Sequence, residues 1–102
     1  MSAAEAIDFD TTLLRRAVKA ATFSEMAEFA ETVEHRPLDK LLSELPGIAA
    51  LSEMKFSLAR QVIRRRARFL GQLHYEQLRI LAEEIAEQAP AAVAARIREI
   101  FA

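Results

Sequence analysis

The segment from Ser52 to Gln88 contains no proline and carries one apolar stripe and one arginine-rich side, and it constrains the fold more than any other part of the chain. At about 100° per residue, Ala59, Val62, Ile63, Leu70, Leu73, Leu81 and Ile85 fall along one side of a helix. Ala67, Phe69, Leu78 and Ile80 broaden that stripe to the width of a helix packed on two neighbours. The pattern predicts one long helix over about residues 52–88, with Phe56, Val62, Ile63, Phe69, Leu70, Leu73 and Leu81 packing in the core or in a dimer interface.

Such a helix would be about 55 Å long at 1.5 Å per residue, whereas a compact globule of this length is only about 33 Å across. Either the helix bends near Gly71, the only glycine inside it, or it stays straight and its protruding part packs on a second copy. The straight, dimeric arrangement is the expectation taken forward.

Arg64, Arg68, Gln72, Tyr75 and Arg79 fall on the opposite side, with Arg65 at its edge. No Asp or Glu stands three or four positions from Arg64, Arg65, Arg66 or Arg68, so the usual pairing within a helix is missing. Their counter-charge must come from water, another segment or a partner. Arg79 differs, with Glu76 and Glu83 in reach. Arg66 projects near the apolar stripe, where a guanidinium is tolerated only if it is paired or its stem runs out to solvent.

The net charge of −1 hides an uneven distribution. Residues 1–34 sum to −4, residues 35–58 to 0, residues 59–79 to +5 and residues 80–102 to −2. A protein made chiefly to hold nucleic acid is usually basic overall; here the blocks can neutralise one another. With 102 residues, 52% of them hydrophobic, and only two glycines, the chain reads as a single helical domain over 1–102. No apolar run approaches the length of a membrane span, and the first residues do not read as a secretory signal. With no cysteine, thiolate chemistry and disulfides are excluded, and the cytoplasm is the default location.

Along the chain, residues 1–9 are expected to fray. Asp10 or Thr11 can cap a first helix through about Ala20. Thr22-Phe23-Ser24-Glu25 matches a capping box, so a second helix is expected from near Phe23 to about His35, burying Phe23, Met26, Phe29, Ala30 and Val33. Glu25, Glu28, Glu31 and Glu34 wind around this helix; they form a solvated face or supply the anions that the arginines lack, within the chain or across a dimer. Pro37 ends the second helix and can open a third, Leu38 to Leu45, with Leu38, Leu41, Leu42 and Leu45 as its apolar edge. Pro46-Gly47 reads as a turn. Residues 48–51 either open the long helix early or form a separate turn capped at Ser52. Pro90 can start a last helix, Ala91 to Phe101, with Val93, Ile97, Ile100 and Phe101 inward.

No catalytic constellation emerges. Ser43 and Gly47 have the spacing of a helix-turn-helix, but Pro46 and Glu53 sit at unsuitable positions for that motif. Glu31 and His35 are at most half a metal site, and there is no phosphate loop or nucleophile elbow. No cofactor is implied.

The expected fold is therefore all-α, four or five helices arrayed around the long central helix. The expected function is a non-enzymatic protein-interaction module, an adaptor or small regulator that forms a homodimer. It would contact a protein with an acidic or apolar groove through Arg64, Arg65, Arg68, Gln72, Tyr75 and Arg79. One alternative is a nucleic-acid-binding regulator that uses the arginine-rich face, Arg60, Arg64, Arg65 and Arg68 gripping phosphates with Tyr75 as a stacking platform. A third, weaker one is a small helical enzyme holding an anionic metabolite with Arg15, Arg16, Lys19, Arg36 and Lys40.

Overall fold

The computed structural model describes residues 15–16 and 22–102, and it is all-helical over them. Residues 22–35 form α1, followed by α2 (Leu38–Leu51), α3 (Glu53–Ala67), α4 (Gln72–Gln88) and α5 (Ala91–Glu99). The expectations for residues 1–9 and for most of the first helix lie outside the described residues; Arg15 and Arg16 are helical and exposed. No helix among the described residues is long and apolar enough to cross a membrane.

Thr22 is helical and is the first described residue of α1, one position before the start expected near Phe23. Of the apolar side expected for α1, Val33 is buried and Met26, Phe29 and Ala30 are half-buried, but Phe23 stays exposed. Among the described residues, no apolar surface is laid over the part of α1 that carries Phe23.

Pro37 separates α1 from α2 as its restricted backbone dictates, and its carbonyl accepts from Leu41 N–H at 3.1 Å in the first turn of α2. Leu38, Leu41, Leu42 and Leu45 are buried. Contrary to the turn expected at Pro46-Gly47, α2 continues through both residues to Leu51. Proline removes one intrahelical hydrogen bond and crowds the preceding turn, and continuing the helix offsets that loss by laying Ile48 and Ala49 on the core. The helix-turn-helix spacing at Ser43 and Gly47 is therefore not realised. The break comes at Ser52, whose extended backbone ends α2 and whose hydroxyl accepts from Lys55 N–H at 3.2 Å to cap α3.

The single helix expected over 52–88 is two helices. After Ala67 the chain tightens through three i→i+3 bonds, Arg68 to Arg65, Phe69 to Arg66 and Leu70 to Ala67, each 3.2–3.3 Å. Gly71 is then extended (φ −65°, ψ 157°) at the cap of α4. This backbone does not need glycine, and a Cβ at Gly71 would meet nothing within 4 Å. What breaks the rod is packing: turning at residues 68–71 lets α4 bury Leu78, Ala82 and Ala86 against α2 and α5. A straight helix would leave them in water, at about 25 cal/mol for each Å² of apolar surface.

The hub is accordingly α2, which contacts α3, α4 and α5, and not the 52–88 segment. The core joins its leucines to Val33, Phe56, Ile63 and Ile97, all fully buried. Ile100 and Phe101, past the end of α5, are buried in a closing turn. Phe56, Val62 and Ile63 are core residues as expected, and Leu70 and Leu81 pack against the core half-buried. Phe69 and Leu73 are not in the core: they stand on either side of the break, 86% and 75% exposed.

Candidate interaction surface

The arginines of α3 are distributed by angle. With Met54 as origin, Lys55 and Arg66 point toward α1, Arg60 and Arg64 toward α5, and Gln61, Arg65 and Arg68 lie within about 40° of Met54 on the outer side. The side chains follow this order. Arg66 Nη1 donates to the carbonyls of Val33 at 2.7 Å and Arg36 at 2.8 Å, which belong to the end of α1, where carbonyls lack intrahelical partners and the helix dipole favours a cation. Arg65 pairs with Glu34 of α1. The residue whose position near the apolar stripe required a partner has found two, and one of the four glutamates of α1 supplies an anion to the run. Glu31 instead holds His35 of its own helix at 3.0 Å.

On the other side, Arg60 donates through Nε to the carbonyl of Arg96 at 3.0 Å and pairs with Glu99 at 3.0 Å. Arg96 reaches back to Glu53 at 2.6 Å and to the Ser57 hydroxyl at 3.0 Å, with its guanidinium 4.6 Å from the centre of the Phe56 ring. Arg98 pairs with Glu83 and Arg79 with Glu76. These contacts hold the carboxyls of Glu53, Glu76 and Glu83 below their ordinary range, through the hydrogen bonds from Arg96, Arg79 and Arg98 respectively.

Arg64 and Arg68 remain. Neither has an ion pair or a side-chain hydrogen bond among the described residues, and both are exposed. They are one turn apart, a like-charge spacing that disfavours an isolated helix by about 0.2–0.5 kcal/mol. With Gln61 and Arg65 they line one shallow depression of about 410 Å³. With Ala67, Tyr75, Ile100 and Ala102 they line another of about 200 Å³. The bend of the chain places Phe69 and Leu73 beside them in sequence and exposed. The result is a cationic patch at the end of α3, with Phe69 and Leu73 exposed in the segment that follows it.

The other residues expected at the surface are placed differently. The Tyr75 hydroxyl donates to the carbonyl of Phe101 at 3.3 Å, and its ring meets Phe101 edge-on, 5.3 Å between centres. Tyr75 is thus committed to holding Phe101. Arg79 lines a separate depression with Ala82, Glu83, Arg98 and Phe101. Gln72 is exposed at the first turn of α4. Arg60 and Gln61 border the patch; Gln61 was not singled out from the sequence, and the signal that was available is its spacing of three residues from Arg64.

For the alternative of an anion-binding enzyme, Arg36 is engaged by Glu44 at 2.5 Å. Among the described residues no three or more His, Asp or Glu side chains gather as metal ligands. No family model, no curated protein and no solved structure matches this chain.

Proposed function

We propose that this chain is a non-enzymatic interaction module that takes up an acidic, amphipathic helix of another protein at the Arg64–Arg68 patch. The observation that carries this reading is the division of the arginines: Arg60, Arg65, Arg66, Arg79, Arg96 and Arg98 each have a partner within the chain, while Arg64 and Arg68 have none among the described residues and lie next to exposed Phe69 and Leu73. Apolar side chains supply contact area, and the two guanidinium groups select the sign of the partner and speed encounter.

Two free cations suit a protein better than a polynucleotide. Neutralising about two phosphates gives a logarithmic salt slope of only about −2, and Tyr75, committed to Phe101, is poorly placed to stack a base.

The test is fluorescence polarisation with labelled acidic amphipathic helical peptides, and in parallel with duplex and single-stranded oligonucleotides at low salt. The expected result is binding of the peptides, weakened about fivefold or more by Arg64→Ala with Arg68→Ala, equivalent to about 1 kcal/mol. Binding of oligonucleotides and not of peptides overturns the proposal in favour of a nucleic-acid regulator.

A further inference from the structure

The patch has a counterpart of opposite sign at the other end of α3. Exposed large apolar side chains gather at both ends of that helix: Leu51 and Met54 at its start, Phe69 and Leu73 beyond its finish. Alongside, α1 lies over the start of α3 at Phe29, whose ring is 5.6 Å from Lys55 Nζ, and over its finish at Val33 and Arg36, held by Arg66. Going back from Phe29, residues 22–28 continue past the first turn of α3. In that portion every residue except half-buried Met26 is exposed, including Phe23. Glu25 and Glu28 there have no ion pair among the described residues.

One end of the α1–α3 layer is therefore acidic and apolar, the other cationic and apolar. They are separated by the length of α3, about 22 Å for its 15 residues, so they cannot meet within one molecule. We propose that they meet between two molecules: a two-fold, antiparallel homodimer in which residues 22–28 of each copy lie on the Arg64–Arg68 patch of the other. An axis crossing α3 near its middle makes both contacts at once and closes the assembly, as a two-fold interface must. Phe23 of one copy then meets Phe69 and Leu73 of the other, and Glu25 and Glu28 meet Arg64 and Arg68. This rests on the reading of the patch as a protein-binding surface and names a second copy as its occupant; an acidic helix from another protein would compete with the dimer.

The test is sedimentation equilibrium up to high micromolar concentration on four samples: the unaltered chain, Arg64→Glu/Arg68→Glu, Glu25→Arg/Glu28→Arg, and an equimolar mixture of the two variants. All these residues are exposed, and circular dichroism confirms that the helices persist. The unaltered chain should dimerise, more weakly at high salt. Each variant alone should lose about tenfold or more in affinity, since both of its contacts become like-charged. The mixture should recover, because reversing both ends on different chains restores two attractive contacts. Monomer throughout, a dimer indifferent to both variants, or a mixture no better than its components overturns the proposal. If the unaltered chain stays monomeric yet binds acidic helical peptides, the second-copy assignment fails and the interaction surface stands.

Discussion

Arg66 Nη1 donates to the carbonyl oxygen of Val33 at 2.7 Å, joining the last turn of α3 to the last turn of α1. The same nitrogen reaches Arg36 O at 2.8 Å, so one side chain answers two carbonyls that α1 leaves without partners. The guanidinium is half-buried, a position where losing the donor costs more than at the open surface.

Arg66→Ala should lower stability by about 1–2 kcal/mol, with Arg66→Lys recovering only part, because a single ammonium cannot reproduce the fixed fork of donors. Urea titration of the two variants measures this. A change under about 0.5 kcal/mol, the range of an ordinary surface substitution, would show that the latch does not hold α1.

Pro46→Ala should stabilise the protein. The variant restores a backbone donor in the ninth position of α2 and removes the clash with the preceding turn, together worth about 3 kcal/mol. The gain is reduced by about 0.4–1 kcal/mol for the greater freedom of the unfolded chain. A melting temperature below that of the unaltered chain would mean that the proline ring itself is needed for Leu45 and Ile48 to seat together.

Acid should weaken the fold through Glu53, Glu76 and Glu83. Their folded carboxyls are held below the ordinary value of 4.5 by Arg96, Arg79 and Arg98. A lowered folded pKa means stability that is present above pH 4.5 and lost as pH falls through the lowered values. Urea midpoints should therefore be flat near neutrality and decline below about pH 4.5, with Glu53→Gln showing a shallower decline. All three are surface pairs, whose individual effects are small. An identical acid limb in Glu53→Gln would remove Glu53 from the account.

Phe56 and Phe69 should behave oppositely although both lie on the apolar stripe of the sequence. Phe56→Ala empties a fully buried site and should cost about 3–5 kcal/mol. Phe69→Ala alters an exposed side chain and should change stability by less than about 0.5 kcal/mol while weakening peptide binding and self-association. Comparable destabilisation by both would show that Phe69 is covered in solution by something within the same chain.

Periodicity alone made the all-helical class legible, together with the leucines of α2, the cap at Ser52 and the buried Phe56, Val62 and Ile63. Chain length raised a bend near Gly71 as one of two ways to fit the rod, but periodicity could not choose it over a straight helix, because the stripe stays in phase across residues 68–71 and the linker contains no proline. Nor could it tell Phe69 and Leu73 from true core positions, since which apolar residues are covered depends on where α4 folds back. Pro46 misled in the other direction: local preference indicates a turn, but Ile48 and Ala49 make continuation of α2 the better solution. Among the arginines, the absence of acidic neighbours was legible, and it correctly required partners elsewhere for Arg65 and Arg66. That two of those partners are main-chain oxygens, and that Arg64 and Arg68 differ from their neighbours, follows only from how α1 and α5 flank α3.

The nine residues of α5 have an effect out of proportion to their number. Arg96 and Glu99 fasten this helix to the start and middle of α3, while its apolar edge lies on α4. It therefore bridges α3 and α4, and together with α2, on which both also pack, it holds the angle between them. Any partner that needed that angle to open would first have to undo α5.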